Sequence, residues 1–167
     1  MTDVAKFAHW WFDEVRSGDM RSAWPKMSDN YRTCIAQATM MTMHDRGDPV
    51  DELVRRFAAA DIERTQMADD FLTNARGTLL QVIPSDILRA DVAAGSRPRP
   101  LSPGLELVPL VVLADAVDDG FGPCIPDGGQ ARAARVLVED GRLVAGLDHL
   151  LSPGWPPTVL HVPSADE

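Results

Sequence analysis

RAARVLVEDGRLVAGLDH, residues 132–149, decides the fold class of this 167-residue chain. Apolar and β-branched residues lie on both sides of Asp140-Gly141, and an Asp-Gly pair between two such runs is the strongest short signal for a two-residue hairpin turn. A turn of that kind places Val138 opposite Leu143. Because side chains alternate along a strand, one face of the pair is apolar and the other is charged. The stretch therefore predicts an antiparallel hairpin with one face on a hydrophobic core.

The same register, continued away from the turn, decides where two polar residues point. It pairs Val136 with Ala145 and, at the far end of the hairpin, Arg132 with His149. All four side chains then lie on the apolar face. Arg132 and His149 are therefore predicted to point toward the interior that this face encloses, or to lie at its rim. A bulge after Gly146 would reverse this assignment, because a slip of one position moves every later side chain to the opposite face.

Upstream of the hairpin, the sequence predicts further strands separated by loops. Residues 105–117 are apolar on both faces, as in a buried strand, although Pro109 within the run indicates an edge or a bulge. Residues 87–92 are predicted as a shorter strand. Two segments rich in glycine or proline, 94–104 and 118–130, are predicted as loops, and a loop as long as the second is usually functional or disordered.

The first half of the chain has helical spacing instead. Apolar residues recur at intervals of three and four from Val4 to Val15, and Gly18 and Asp19 mark the end of that helix and the start of the next. Pro25 keeps the second helix short or kinked. Three further helices are predicted, each after a capping residue: Ser28, Asp48 and Asp61. Helices followed by an antiparallel sheet indicate the α+β class.

Length, charge and composition are those of one globular domain. We expect residues 1–151 to form a single α+β domain, and residues 152–167, with four prolines and an acidic end, to form a surface tail. The net charge is −9 without a basic cluster, which disfavours nucleic acid and anionic membranes as partners. No apolar run approaches the length of a membrane span or a signal peptide, so we expect a cytoplasmic protein.

Cysteine and histidine spacing predicts neither a metal nor another cofactor. Cys34 and Cys124 are far apart, without a C-x-x-C motif, and we expect two idle thiols in a reducing compartment. His9 and Asp13 are four residues apart on the polar side of the first helix, as in a solvated pair. Together with His44 they do not make a credible set of metal ligands.

Three segments together resemble a known architecture. They are the aromatic helix FAHWWFDEV (7–15), the Ser-Gly-Asp turn (17–19) that leads to Ala23-Trp24, and the hairpin from 136 to 147. They resemble the nuclear-transport-factor-2-like superfamily, cone-shaped α+β barrels that include SnoaL-like polyketide cyclases, ketosteroid isomerases and limonene epoxide hydrolases. The resemblance implies N-terminal helices packed on a curved, mainly antiparallel sheet that forms a cone with a central pocket. It implies a cavity and not a reaction, because the superfamily has no common catalytic motif.

One feature departs from that pattern. Members often carry a short strand pair between the second and third helices, whereas residues 28–80 are predicted as continuously helical. The number of strands ahead of residue 105 is therefore left open.

Six residues are candidates for a site in the pocket. Asp115 lies among apolar residues of the predicted strand, where burial would raise its pKa and suit it to general acid–base catalysis. A solvated carboxylate at the end of the strand is the alternative. His149 is the second catalytic candidate, with a solvated rim histidine as the alternative. The ligand-binding candidates are Trp24, Tyr31, Met41 and Arg132. For the first three, the alternative is ordinary core packing.

Two functions are compatible with these patterns, and whether the chain is an enzyme is left open. The first is a small-molecule-binding protein with an apolar pocket, which includes a cofactor-independent isomerase, cyclase or hydrolase. The second is a non-catalytic dimerisation or protein-interaction module whose pocket is filled by side chains. A cavity of about 300 Å³ or more would favour the first.

A homodimer is also predicted, because apolar residues are left over outside the expected core. Trp10 lies about 100° around the first helix from Trp11, beyond the buried stripe. Leu137 and Val144 lie among charges on the second face of the hairpin, where several apolar side chains can form an interface. We expect Leu137 and Val144 to be nearer that interface than Trp10.

Overall fold

In the part of the chain that the structure describes, the α-helices precede the strands, and this segregation is typical of the α+β class. The computed structural model describes residues 2–43, 50–81 and 83–146. Asp48, Asp148, His149 and the tail from residue 152 therefore lie outside the described residues. The described part of the chain forms helices α1 to α6 and then strands β1 to β7, most of them in one antiparallel sheet.

The first two helices begin and end where local chemistry predicts. Helix α1 spans Asp3–Ser17, and Gly18 follows it in the left-handed conformation with φ of 100°, which favours glycine. The Asp19 carboxylate accepts a hydrogen bond from the Ser22 N–H and caps α2, which spans Met20–Ala23. A 3₁₀ turn over Trp24–Lys26 then contains Pro25, so the predicted short and kinked second helix is confirmed.

Four more helices complete the helical layer, and one prediction within it is wrong. Helix α3 (Asp29–Thr42) is capped by Ser28 as predicted. The cap of α5 is Thr65 and not Asp61, because the chain between residues 58 and 65 forms turns before the helix begins. The ranges of the remaining helices are α4 Val50–Phe57, α5 Gln66–Leu80 and α6 Ser85–Arg89. No strand occurs between residues 28 and 80 among the residues described there, as expected.

Helix α6 occupies the first half of a segment that the sequence predicts to be a strand, residues 87–92. Ser85 and Asp86, directly after Pro84, favour a helical first turn, and five residues are too few for periodicity to separate a helix from a strand. Only the end of the predicted segment is extended, at the start of β1.

The main sheet has β3 at its centre. The described strands are β1 Val92–Ala94, β2 Arg99–Ser102, β3 Leu105–Val112, β4 Val117–Asp118, β5 Pro123–Cys124, β6 Ala133–Glu139 and β7 Arg142–Gly146. β1 and β2 pair with one side of β3, β6 pairs with the other, and β7 pairs with β6, all antiparallel. β4 and β5 form a separate small hairpin. The described strands form an open sheet and not a closed barrel.

Pro109 is accommodated in the central strand by a gap between β1 and β2. Its carbonyl accepts a hydrogen bond from the Gly95 N–H (2.7 Å), so its nitrogen also points to the β1–β2 side. The ladder on that side stops after Gly95 and resumes at Arg99. The missing proline N–H therefore falls where no neighbouring strand needs a donor. The predicted edge or bulge at Pro109 is wrong, because β3 is the central strand and its register with β6 is unbroken at Pro109.

The hairpin of β6 and β7 has the predicted turn but not the predicted register throughout. Val138 lies opposite Leu143, and Asp140 (φ 47°) and Gly141 (φ 74°) form the two-residue turn. A bulge at Val144 then shifts the pairing, so Val136 lies opposite Gly146 and not Ala145. The prediction that Arg132 pairs with His149 assumed an unbroken register, and this one-residue shift removes its basis.

The helix-facing side of the sheet is packed with buried side chains. Helix α1 packs on β1, β3 and β6, and the helical residues Trp11 and Phe12 join Val108 and Val136 of the sheet in one hydrophobic core. The largest fully buried side chains are Trp11, Trp24, Tyr31, Phe12, Phe57, Phe71, Met27, Leu79, Leu110, Leu137 and Leu143.

The surface assigned to a dimer interface differs from the prediction. Leu137, predicted to be exposed among charges, is 0% exposed, so its side chain is not available to a partner in this conformation. Trp10 is half-buried and packs against the core, with its ring centroid 6.0 Å from that of Phe7. Among the described residues no helix is long and apolar enough to cross a membrane.

Candidate functional site

Two of the ligand-binding candidates belong to the core. Trp24 and Tyr31 are each 1% exposed. The Trp24 indole donates a hydrogen bond to the Ala59 carbonyl (3.0 Å), and its ring meets that of Phe71 edge to face at 5.5 Å. Trp24 also borders a cavity of about 180 Å³ among the helices, which is smaller than typical small-molecule sites. Both side chains act as packing residues of the helical layer.

Met41 does not line the interior, contrary to the prediction. Its side chain is 68% exposed, while its neighbour Met40 is buried. The buried face of α3 runs through Tyr31, Ile35 and Met40, so its last turn buries Met40 and leaves Met41 outside. Both methionines are apolar, and a shift of 100° around the helix is not visible in the sequence pattern alone.

Asp115 and Arg132 are brought together, but not inside a cavity. β3 ends at Val112, and Asp115 lies in a 3₁₀ turn over Leu113–Asp115. Arg132 Nε lies 2.6 Å from Asp115 Oδ2 and Arg132 Nη2 lies 3.1 Å from Asp115 Oδ1. The Arg132 N–H also donates to Asp115 Oδ2, and Arg132 Nη1 lies 3.3 Å from Asp86 Oδ2.

The predicted rise in the pKa of Asp115 is wrong in direction. Hydrogen bonds from the Arg132 guanidinium, and then from its backbone N–H, hold the pKa of the Asp115 carboxyl below its usual range. The same pairing raises the pKa of Arg132. A carboxylate that accepts from one guanidinium with both oxygens is poorly placed to exchange protons with a substrate. The arrangement ties α6, the 3₁₀ turn and the start of β6 together.

Among the residues that the structure describes, no three His, Cys, Asp or Glu side chains are grouped so that they could hold a metal ion. His9 lies 3.3 Å from Asp13, as the four-residue spacing predicts. The second catalytic candidate, His149, lies outside the described residues.

A cavity that the sequence did not predict lies on the other face of the sheet. It has a volume of about 310 Å³ and is formed where the β1–β2 connection meets the β4–β5 hairpin. The Ser96 N–H donates to the Pro123 carbonyl (2.7 Å) and joins the two segments. The cavity is lined by Gly95, Ser96, Arg97, Pro109, Val117, Asp119, Cys124, Ile125 and Asp127. We refer to it as the outer cavity.

Close backbone approach shapes the floor of the outer cavity. A Cβ atom on Gly95 would lie 2.6 Å from Pro109 Cγ, so a larger residue does not fit there without a shift. The gap in the ladder beside Pro109 leaves the β1–β2 connection free to turn toward the β4–β5 hairpin. Proline in the central strand and glycine opposite it thus create the depression that the two loops surround.

The polar wall of the outer cavity is organised around Asp119. Its side chain is 8% exposed and accepts hydrogen bonds from the Phe121 N–H (2.9 Å) and the Ser96 hydroxyl (3.0 Å). Arg97 Nε lies 2.5 Å from Asp119 Oδ2. The Phe121 N–H is the main cause that holds the pKa of Asp119 below its usual range, with Ser96 and Arg97 contributing in the same direction. Asp119 is therefore an ionised anchor for Arg97.

A second surface cavity, of about 380 Å³, lies between α2 and α5. Its charged side chains already hold the helices together. Arg21 pairs with Asp69 (2.6 Å), and Arg76 donates to the Val15 and Arg16 carbonyls at the end of α1. We regard these as structural contacts of the helical layer, because each group has an intramolecular partner.

The comparisons with known proteins add no relative. No family model matches the chain, and neither a characterised protein nor a solved structure is similar to it. The resemblance to the nuclear-transport-factor-2-like superfamily therefore stays a prediction.

The sequence carried one signal for the outer cavity. Its two walls come from the segments 94–104 and 118–130, both predicted as loops, and the second was long enough to favour a functional role. Each loop proves to contain strand, β2 in the first and part of β4 with β5 in the second. The two segments meet through a long-range contact, and a local sequence pattern does not reveal such contacts.

Proposed function

We propose that the chain is a small-molecule-binding protein whose site is the outer cavity. The observation that carries the proposal is a concave space of about 310 Å³ with both polar and apolar walls. Small-molecule sites commonly occupy about 300–1,000 Å³ and combine an apolar lining with a few placed polar groups. Pro109, Val117 and Ile125 supply the apolar part, and the terminal nitrogens of Arg97 supply hydrogen-bond donors.

The interior between helices and sheet is a poorer candidate. Trp11, Phe12 and Leu110, which face each other across that interior, are each 0% exposed. Of the three cavities described above, none lies between the helical layer and the sheet. A ligand there would have to displace well-packed side chains, which costs free energy.

We propose that the chain binds a small molecule and does not catalyse its conversion. General acid–base catalysis needs a side chain that can exchange a proton near neutral pH. Asp115, the candidate for that role within the described residues, is held ionised by Arg132. A cytoplasmic location is part of the proposal and is supported by the two cysteines, which are both free.

A cavity-filling variant tests the proposal. Ile125→Trp should occupy the outer cavity, whereas Leu101→Trp, on the exposed edge strand β2, should leave it open. We expect a ligand-observed NMR screen of small organic fragments to find binders that Ile125→Trp loses and Leu101→Trp keeps. Binders that survive in both variants, or no binder at millimolar concentration, would contradict the proposal.

A second candidate function is self-association through the β4–β5 hairpin. The observation that favours it is Phe121, whose side chain is 76% exposed at the turn of that hairpin, near the exposed Val117 and Ile125. Exposed apolar side chains that cluster in this way mark interaction surfaces. We therefore propose that the homodimer interface is this hairpin and not the surface around Leu137.

Light scattering tests the second candidate. At tens of micromolar we expect a mass of twice 18.2 kDa for the unaltered chain and 18.2 kDa for Phe121→Asp. Met41→Asp, an equally exposed apolar residue on α3, is the matched control and should stay dimeric. A measured mass of 18.2 kDa for the unaltered chain would rule out self-association and would leave the ligand-binding proposal unchanged.

A further inference from the structure

Arg97 is oriented at the outer cavity by one ion pair, and its side chain is 68% exposed. Its Nε is paired with the nearly buried Asp119 carboxylate, which Ser96 and Phe121 hold from two further directions. A guanidinium fixed through Nε by a carboxylate has lost much of its rotational freedom. Side chains oriented in this way by a second layer of hydrogen bonds bind ligands without the entropic cost of ordering.

The other end of the same guanidinium is available. In the described part of the chain, the terminal nitrogens of Arg97 form no hydrogen bond or ion pair. A planar guanidinium presents parallel N–H donors that match the two oxygens of a carboxylate. Arg97 therefore offers a bidentate carboxylate site at the wall of the cavity.

The charge balance of the cavity excludes a simple anion as the best ligand. Arg97 and Asp119 neutralise each other, and Asp127, which lines the same cavity, has no ion pair with any described residue. The net charge of the whole chain is −9, which adds to the unfavourable potential for an anion. A molecule with one carboxylate and one ammonium group complements both Arg97 and Asp127.

We propose, resting on the function proposed above, that the outer cavity binds an amphoteric molecule of amino-acid or dipeptide size. Its carboxylate would pair with Arg97 and its ammonium group with Asp127. Its side chain would be apolar, because Pro109, Val117 and Ile125 line the same cavity.

Calorimetric titration with amino acids and apolar dipeptides tests this ligand class. For each binder, the matched probes are its C-terminal amide, which lacks the carboxylate, and its N-acetyl derivative, which lacks the ammonium group. Loss of one charge-assisted pairing should weaken binding about ten-fold or more in each case. If acid, amide and N-acetyl forms bind equally, or if no member of the panel binds below about 10 mM, the inference fails.

Variants assign each pairing to its residue. Arg97→Gln should abolish the preference for the acid over the amide, and Asp127→Asn should abolish the preference for the free amine over the N-acetyl form. Arg99→Gln, on the exposed strand β2, is the control and should change neither preference. Arg97→Lys keeps a positive charge for Asp119 but loses the bidentate geometry, so it should fold normally and still weaken binding of the acid.

Two outcomes separate this inference from the proposed function. Neutral fragments that bind the unaltered chain but not Ile125→Trp, together with no amphoteric binder, would keep the outer cavity and overturn the ligand class. An amphoteric ligand that binds Arg97→Gln with unaltered preference for the acid would overturn the role of Arg97, provided that circular dichroism shows this variant to be folded.

Discussion

The two faces of the sheet differ in how completely they are covered. On the helix-facing side, Val108, Leu110 and Val136 are 0% exposed and belong to one core with α1. On the opposite side, the β4–β5 hairpin leaves Phe121 and Val117 exposed and borders the outer cavity. One face is thus covered by the helices, while part of the other borders open volume.

This difference shows why the resemblance to cone-shaped proteins and the structure direct attention to different places. A cone encloses its ligand between helices and sheet, whereas here that space is filled by large side chains such as Trp11 and Trp24. Native interiors are close-packed, so a filled core leaves no room for a ligand. Four predictions compare the two faces, or the residues that build them.

The largest expected effect is a core truncation set against an exposed one. Trp24→Ala removes a fully buried indole that contacts Phe71 and donates to the Ala59 carbonyl, and it should lower the free energy of unfolding by about 3–5 kcal/mol. Phe121→Ala removes an exposed ring on the outer face and should change the free energy of unfolding by less than about 0.5 kcal/mol. Urea unfolding of both variants measures the two values. If Trp24→Ala is tolerated, the helical layer around Trp24 is a pocket and not a packed core.

Two neighbouring methionines test the corrected phase of α3. Met40→Ala should cost about 2–5 kcal/mol because Met40 is buried, although the lower half of that range applies if neighbours collapse into the space. Met41→Ala should be nearly neutral, because its side chain is mostly in solvent. Thermal unfolding of the pair is sufficient, and the reverse order of the two effects would restore the predicted stripe through Met41.

A glycine pair tests the floor of the outer cavity. Gly95→Ala would place a methyl group 2.6 Å from Pro109 Cγ, and the overlap should cost about 1–3 kcal/mol. Gly77→Ala, within α5, meets nothing within 4 Å and should be neutral or stabilising by up to about 1 kcal/mol. Denaturant midpoints measure both changes. Equal effects of the two substitutions would mean that the close approach of Gly95 to Pro109 is wrong.

The smallest expected effect concerns pH. Because Arg132 lowers the pKa of Asp115 in the folded chain, the ionised carboxylate stabilises the fold above the unfolded pKa of about 3.9, and this contribution is lost as the pH falls through the lower folded pKa. Asp115→Asn should therefore be less stable than the unaltered chain at pH 7, and the difference should shrink at pH 3.

The matched control for that experiment is Asp61→Asn. Asp61 is exposed and makes no hydrogen bond or ion pair with any described residue, so its substitution should leave the dependence on pH unchanged. A stability difference for Asp115→Asn that grows as the pH falls would mean that the carboxyl is more basic in the folded chain, as the catalytic hypothesis requires.

Local chemistry accounts for most of what the sequence predicts correctly. Capping residues such as Asp19 and Ser28, the left-handed Gly18 and the Asp140-Gly141 turn each act within a few residues, so a short pattern contains the whole cause. The α+β class follows from the sum of these elements.

The failures share a different cause, which is contact at long range. The pKa of Asp115 is lowered by Arg132, which lies 17 residues away, just before β6. The bulge at Val144 shifts the pairing of β6 with β7 by one residue, and no glycine or proline stands at that position to predict it. The outer cavity depends on residues near 96 meeting residues near 123, which no periodicity records.

Chemical-shift mapping of the bound ligand tests the central claim most directly. With the tightest small-molecule binder added to the ¹⁵N-labelled chain, we predict the largest amide shifts at Ser96, Arg97 and Ile125, on the walls of the outer cavity. Amides of the packed layer, such as those of Ala36 and Ala75, should not move. Shifts concentrated on those helices, with Ser96, Arg97 and Ile125 unaffected, would contradict the account and return the site to the space between helices and sheet.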